Sequence, residues 1–274
     1  MRIVDSNAME WQGTASHRDG DYAVKSLFEG EPGPDNYWFV LFRVSGKYDT
    51  PRHAHNFEQV RIMLEGAFDF GDQVQEEGTV GYFCEGTPYA QTARGDSVTL
   101  LLQCEGASRS RYLNISEQRA AGEAMVEAGG TFSEGLYDGP NGRGGTMKRD
   151  GALALWEWEC GSRPTIPPAK FENPVIMHPD RFVYRGAGDG LEEKHLATFG
   201  ERDLSLTYVK VAAGSSFSHD TATSGDALFY ALDGSGTVEG EAFFAGCAAE
   251  ARAGDVFSFE ADQSTTLIRL RLPS

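Results

Sequence analysis

Short runs of aromatic and β-branched residues, closed by Gly, Pro, Asn or Asp, recur along most of this chain. Tyr37-Trp-Phe-Val-Leu-Phe-Arg-Val44 ends at Ser-Gly, and Thr79-Val-Gly-Tyr-Phe83 and Ser97-Val-Thr-Leu-Leu-Leu-Gln103 have the same character. Such side chains suit a pleated, half-buried surface. Strand after strand with turn signals between them predicts a sandwich or a barrel. One segment follows another rule. Asn114-Ile-Ser-Glu117 has the form of a helix cap with Glu at the third helical position. Ala120, Ala121, Ala124, Met125 and Val126 continue at helical spacing, and Gly129-Gly130 supplies the stop.

Between these patterned stretches the chain is punctuated more heavily. Residues 129–151 include Gly139-Pro-Asn-Gly142-Arg-Gly-Gly145 and predict a mobile linker, or a lid at the mouth of a barrel. A phosphate cradle would need a Lys-Ser/Thr pair at the right offset, which is missing. Trp156 and Trp158, on Ala152-Leu-Ala-Leu-Trp-Glu-Trp, are expected in a core or an interface. Residues 161–190, with Pro164, Pro167, Pro168, Pro174 and Pro179, predict an extended connector.

The candidate chemistry lies in His53-Ala-His55-Asn-Phe-Glu-Gln59, followed by Val-Arg-Ile-Met-Leu-Glu-Gly66. Strand side chains alternate faces with period 2. On one continuous strand His53, His55, Phe57, Gln59, Arg61 and Met63 would therefore share a face. Two imidazoles could then reach one ion, with the Gln59 amide oxygen brought to the same centre. Glu58 has the better metal-binding chemistry, but its parity sends it the other way. Two histidines on a solvated strand commonly do nothing. The weight comes from Gln59 at this spacing, the Leu-Glu-Gly turn and a second motif downstream, Gly78-Thr-Val-Gly-Tyr-Phe-Cys84-Glu-Gly86-Thr-Pro88-Tyr89-Ala-Gln91.

The first stretch resembles the first motif of the cupin superfamily: His-x-His, three or four residues, Glu or Gln, six residues, Gly. The second resembles that superfamily's other motif: Gly, five residues, Pro-x-Gly, two residues, His. Cys84 replaces the usual proline, and Tyr89 stands where a fourth ligand, a histidine, is expected. The resemblance implies one divalent ion (iron, manganese, nickel or zinc) held by His53, His55 and Gln59. Gln91, sharing the parity of Tyr89, could complete the coordination sphere.

The chain also repeats itself. Leu204-Ser-Leu-Thr-Tyr-Val-Lys-Val-Ala-Ala-Gly214 echoes Trp38-Phe-Val-Leu-Phe-Arg-Val-Ser-Gly46, and Leu232-Asp-Gly234 echoes Leu64-Glu-Gly66. Gly254-Asp-Val-Phe-Ser-Phe259 echoes Gly78-Thr-Val-Gly-Tyr-Phe83. Two copies of one unit make a bicupin. The expectation is an all-β chain of two cupin-type double-stranded β-barrels, jelly-roll-like, joined by a helix-containing linker. Its parts are a metal-bearing barrel at 1–112, a helix and Gly/Pro-rich linker at 113–169, and a degenerate barrel at 170–274. Matching the turns sets Thr221, Thr223 and Ala227 opposite His53, His55 and Gln59. Matching the glycine strands sets Thr265 opposite Tyr89. No strong ligand then remains in the second copy, and His219 reads as a surface or satisfied core histidine.

Composition narrows the partners. Lys plus Arg is 24 against 41 Asp plus Glu, a net charge of −17. This argues against nucleic acid or an anionic membrane as partner. The four cysteines, Cys84, Cys104, Cys160 and Cys247, have no Cys-x-x-Cys spacing. The first eight residues lack an apolar core of signal-peptide length, and no run reaches the roughly 18 apolar residues of a membrane span. A cytoplasmic protein is expected, and a homodimer is compatible with the pattern.

Two neutral imidazoles and an amide would leave a divalent charge uncompensated, which favours polarising a carbonyl or hydroxyl. The function expected is a metal-dependent enzyme on a small oxygenated metabolite, anionic or aromatic, with lyase or isomerase chemistry. A dioxygenase is one alternative and a sensor or binding protein without turnover is another. Arg61 and Tyr89 are the candidate catalytic pair. The guanidinium would take a substrate carboxylate, unless an internal acid already pairs with it, and the phenol would handle a proton.

Overall fold

The computed structural model describes residues 1–13, 21–163 and 165–273, so Pro164 of the expected connector lies outside the described residues. The chain divides into two compact units. The first is Trp11–Met177; the second is Met1–Glu10 together with His178–Ser274. This differs from a division at 112 and 169. The helix and the glycine-rich segment belong to the first unit, and the opening strand, β1 (Arg2–Asp5), belongs to the second, where it pairs with residues 247–250.

The first unit contains β2 (Gln12–Gly13), β3 (Tyr22–Glu29), β4 (Tyr37–Val44), β5 (Asp49–His53) and β6 (Phe57–Glu65). It continues with β7 (Ala67–Phe70), β8 (Gln73–Glu76), β9 (Val80–Phe83), β10 (Tyr89–Ala93) and β11 (Ser97–Glu105). After α1 (Ile115–Glu127) come β12 (Thr131–Ser133), β13 (Leu136–Pro140), β14 (Thr146–Asp150), α2 (Gly151–Cys160) and β15 (Val175–Met177). A seven-stranded sheet runs β15-β9-β6-β11-β4-β3-β2, and a four-stranded sheet runs β5-β10-β7-β8. Every pairing is antiparallel. Val44 and Met63 from the larger sheet share one buried cluster with Phe68, Phe70 and Tyr89 from the smaller, so the two sheets enclose a common interior.

The cap at Asn114 forms as its residues predict. Asn114 Oδ1 accepts from Glu117 N at 2.9 Å, and Glu117 Oε2 accepts from Asn114 N at 3.0 Å. The helix closes at Ala128, and Gly129 takes φ 94°, a left-handed conformation that suits glycine. Of the glycine-rich run only residues 141–145 are loop, the turn between β13 and β14. The surrounding segment folds into the three-stranded antiparallel sheet β12-β13-β14. Asp150 then caps α2, its carboxylate accepting from Ala152 N and Leu153 N. The tryptophan segment is therefore helical, and Ala154 and Leu155 pack with Ala121, Met125 and Tyr137.

In the second unit β1 is followed by β16 (Arg185–Gly188), β17 (Leu191–Phe199), β18 (Leu204–Val211), β19 (Ser216–Asp220) and the short α3 (Thr221–Ser224). The remainder is β20 (Ala227–Ala231), β21 (Ser235–Val238), β22 (Glu241–Phe244), β23 (Cys247–Ala251), β24 (Val256–Ala261) and β25 (Thr265–Arg271). The sheet orders, β1-β23-β20-β25-β18-β17-β16 and β19-β24-β21-β22, match those of the first unit position by position.

That match corrects part of the internal alignment. β24, which begins just after Gly254, takes the place of β10; the counterpart of β9 is β23. Thr265 accordingly corresponds to Ser97: a Cβ on Gly66 would meet Ser97, and one on Gly234 would meet Thr265. Tyr89 pairs with His53 as Phe257 pairs with His219. The counterpart of Tyr89 is therefore Phe257, and that of His53 is His219 rather than Thr221. The match of Ala227 with Gln59 holds, since Ala227 pairs with Arg271 as Gln59 pairs with Gln103. A glycine followed by an alternating strand recurs more than once in each copy, so the motif alone does not identify the strand.

Candidate functional site

The interior of the first unit opens into a pocket lined by His53, His55, Gln59, Arg61, Tyr89 and Gln91, with Gln103, Tyr112 and Trp156 among its other walls. The histidines do not lie on the strand that carries Gln59. His53 ends β5 in the four-stranded sheet, residues 54–56 cross over, and Gln59 lies on β6 of the seven-stranded sheet. Asn56 anchors the crossing; buried, it donates from Nδ2 to the Ser110 carbonyl at 2.9 Å. Both imidazoles still face the pocket, because the crossing carries the chain from one wall to the next.

His53 Nδ1 stands 2.7 Å from the Pro51 carbonyl, which can only accept, so the proton is on Nδ1 and Nε2 offers its lone pair. His53 Nε2 and His55 Nε2 are 3.1 Å apart. The Tyr89 hydroxyl lies 3.0 Å from His55 Nε2. Gln59 Nε2 donates to the same hydroxyl at 3.0 Å, and Arg61 NH2 donates to it at 2.9 Å. With two donors aimed at its oxygen, the phenol directs its own proton elsewhere, and His55 Nε2 is within reach.

Gln59 Oε1, the atom expected at a metal, instead accepts from Arg61 NH2 at 2.9 Å and from Gln103 Nε2 at 3.1 Å. Turning the amide over would set its NH2 against two donors. Tyr112 extends the relay by donating to Gln103 Oε1 at 2.8 Å. Gln91, considered as a further ligand, accepts from Arg61 NH1. Glu58 is buried and does not line the pocket, as strand parity requires. It lies beside Tyr82, whose phenol is pushed well above the ordinary range by burial first and then by Glu58.

Arg61 is the only Lys, Arg, Asp or Glu lining the pocket among the described residues. It donates to the neutral acceptors Gln59, Gln91 and Tyr89. Its Nε is buried without a hydrogen-bond partner. The guanidinium carbon lies 4.3 Å from the Phe83 ring centroid, with the Tyr89 and Phe70 rings at 5.2 and 5.5 Å. Ring faces attract a cation, and with these three they offset part of the missing counter-charge. Gly81, the register partner of Arg61, leaves room for that ring, since a Cβ there would come within 2.8 Å of Phe83.

Whether these residues fit a metal follows from the donor set. Among the described residues no group of three or more His, Cys, Asp or Glu is placed to hold one. The histidine pair fits by itself. Two nitrogens 3.1 Å apart can share an ion at bonds of about 2.0–2.1 Å, and the carbonyl behind His53 orients its ring as partners of metal-bound histidines do. The remaining positions would fall to Tyr89 or to oxygens of a ligand. Gln103 and Tyr112 were not anticipated from sequence. Gln103 could have been, because it ends a β-rich run with the parity of Leu101; Tyr112 lies outside any periodic stretch.

The sequence matches no family model and no curated protein. Solved structures do resemble the chain. A Nostoc punctiforme protein named for a proposed dioxygenase activity is 9% identical with a TM-score of 0.65, the match covering 99% of this chain and 82% of that one. A single-substitution variant of Bacillus subtilis oxalate decarboxylase is 12% identical with a TM-score of 0.57, covering 99% and 77%. A cupin 2 conserved barrel domain protein from Leptotrichia buccalis is 13% identical with a TM-score of 0.54, covering 99% and 96%. At these identities the likeness is one of fold, and the fold is cupin-like.

Proposed function

We propose that the first unit is a metal-dependent cupin enzyme acting on a small oxygenated anion, with redox-neutral lyase or isomerase chemistry. In this reading both units are double-stranded barrels and only the first keeps a working interior. The observation that carries it is Arg61: a guanidinium in the pocket with no acid on the lining among the described residues, beside two histidines whose Nε2 atoms converge. An anion would supply the missing counter-charge and could accept the NH1 hydrogen that Gln91 does not take.

His53 and His55 would hold the ion, which when bound supplies Lewis-acid polarisation of a carbonyl or hydroxyl. Arg61 binds and orients the carboxylate. Gln59 and Gln103 hold Arg61 and Tyr89 in place through the bonds described above. With His55 Nε2 on the ion, Tyr89, its oxygen already receiving two hydrogen bonds, would present its own proton towards a ligand atom lying beside His55. The fold neighbours named for dioxygenase and oxalate decarboxylase activities make oxygen chemistry or decarboxylation the natural comparators.

Metal analysis of purified protein loaded with manganese, iron, nickel or zinc tests the reading. One ion per chain is expected, lost in His53→Ala and in His55→Ala and kept in Glu58→Ala. Failure of every ion to bind the unaltered protein would remove the enzyme reading. A binding protein without turnover is the second reading, favoured by Gln59 Oε1 being turned to Arg61 and Gln103 rather than to the histidines. Oxygen uptake with the true substrate would move the chemistry to a dioxygenase.

A further inference from the structure

The pocket has an apolar half that the polar groups do not explain. Phe57, Trp38, Leu101, Tyr112, Leu153 and Trp156 line it beside the histidine and arginine groups. Both indole N–H groups are used elsewhere: Trp38 Nε1 donates to Ser26 Oγ at 2.8 Å, and Trp156 Nε1 donates to the Arg111 carbonyl at 2.9 Å. The tryptophans therefore show the pocket only hydrocarbon. The Phe57 and Tyr112 rings meet edge to face, centroids 5.0 Å apart and planes at 69°, which leaves a rigid aromatic corner. Leu153 and Trp156 come from α2, which Asp150 caps and whose Ala154 and Leu155 are buried on its other side. The wall is thus part of the packed fold.

Resting on the anion reading above, we propose that the ligand is a one-ring aromatic monocarboxylate, its carboxylate on Arg61 and its ring against Phe57, Tyr112 and Trp156. Three quantities select this class. The cavity is about 150 Å³, the size that accommodates a single benzene in an apolar protein cavity. A two-carbon acid would leave most of the apolar wall uncovered. Arg61 is the only Lys or Arg on the lining among the described residues and gives the ligand one carboxylate anchor apart from the ion proposed at His53 and His55. A carboxylate beyond the reach of both would be set against hydrocarbon, where an unpaired charge is expensive. Finally, the arrangement along β6 has the right order. Phe57 and Gln59 are one strand period apart, about 6.6 Å, and the guanidinium reaches the level of Gln59 Oε1 and the Tyr89 hydroxyl. A ring at Phe57 can therefore present a directly attached carboxylate to Arg61. These features separate the pocket from one built for oxalate, despite the shared fold with oxalate decarboxylase.

The test is calorimetric titration of the full-length protein as purified with benzoate, acetate, oxalate and benzamide, with quenching of tryptophan fluorescence as a second readout. Benzoate is expected to bind at least tenfold more tightly than each of the other three. Arg61→Met should weaken benzoate at least tenfold. Leu101→Phe, which fills the apolar half, should weaken benzoate at least tenfold and leave acetate within twofold; if it does not fold by thermal melting, Trp156→Leu takes its place, with the same expectation. Acetate or oxalate binding as tightly as benzoate, and still depending on Arg61, would overturn the aromatic class and leave the anion reading standing. Benzamide matching benzoate would overturn the role of the charge. Absence of binding by all the carboxylates would overturn the anion reading and this inference with it.

Discussion

In the first unit Arg61 on β6 lies against Tyr89 on β10, its guanidinium carbon 5.2 Å from the ring centroid. At the matching positions of the second unit Phe229 on β20 stacks on Phe257 on β24, centroids 3.9 Å apart and planes 7° from parallel. Gln59 likewise becomes Ala227, and His53 becomes His219, which is turned to the Gly225 carbonyl at 2.8 Å. Phe229 and Phe257 sit in one cluster with Phe243 and Phe259, all at 0% exposure. The same sheet order thus supports a filled interior in one copy and a polar pocket in the other. A closed aromatic core needs no ligand to satisfy it. A guanidinium among neutral acceptors leaves its charge for an anion to balance. Functional polar groups of this kind are commonly held at some cost in stability.

The comparison breaks most sharply at the phenylalanine stack. Phe257→Ala should destabilise the second unit by about 3–5 kcal/mol, measured by guanidinium denaturation. A loss under about 1 kcal/mol would mean the stack is not the core of that unit. Arg61→Met should have the opposite profile. Anion binding is expected to fall tenfold to a hundredfold, equivalent to about 1.5–3 kcal/mol, while the melting temperature holds or rises because a half-buried cation without an acidic partner on the lining is gone. A fall in melting temperature without loss of anion binding would make Arg61 structural. Tyr89→Phe should lower turnover more than binding, and equal losses of both would limit the hydroxyl to holding the ligand.

The smallest effect concerns pH. Burial lowers the pKa of His219 below the ordinary 6.5; the Gly225 carbonyl and Asp220 oppose the shift, and Arg269 and Arg271 add to it. The folded state thus holds the neutral ring. Its stability contribution is complete above the ordinary value and is lost as the pH falls from there through the folded value. The second unit should melt at lower temperature at about pH 5.5 than at about pH 7.5, with a slope from this group of at most about 1.4 kcal/mol per pH unit. His219→Gln should flatten that part of the profile; an unchanged profile would assign the pH dependence to other groups.

The strands and the capped helix were legible because their signals are local. Period-2 alternation brings Gln59 and Arg61 to the pocket, and Asn114 with Glu117 specifies one helix start. The break at 54–56 was not legible, because His-x-His reads the same on a continuous strand as on one that ends at His53. Nor was the sheet at 131–150, where β12–β14 are short and glycine occupies positions that would otherwise mark alternation. α2 shows helical periodicity only weakly, since nearly all of Ala152-Leu-Ala-Leu-Trp is apolar. Strand parity could have pointed to Gln103, which bonds Gln59, whereas Tyr112 joins the site through its bond to Gln103, which no local pattern encodes.

Gly86 links the site to the timing of folding. Its N–H donates to the His55 carbonyl at 2.8 Å, and a Cβ on it would lie 2.3 Å from the Pro167 carbonyl. A turn touching the second histidine is thus covered by chain made about eighty residues later, and α2 adds its wall only after residue 150. Contacts so far apart in sequence form late, because closing long loops costs entropy before any contact offsets it. On the ribosome, then, a nascent chain could pair β4, β6 and β11 well before it has a finished rim around His55. Ligand or metal capture during synthesis would report arrival of the 150–170 region, and a chain released short of it would keep its sheets and lack its site.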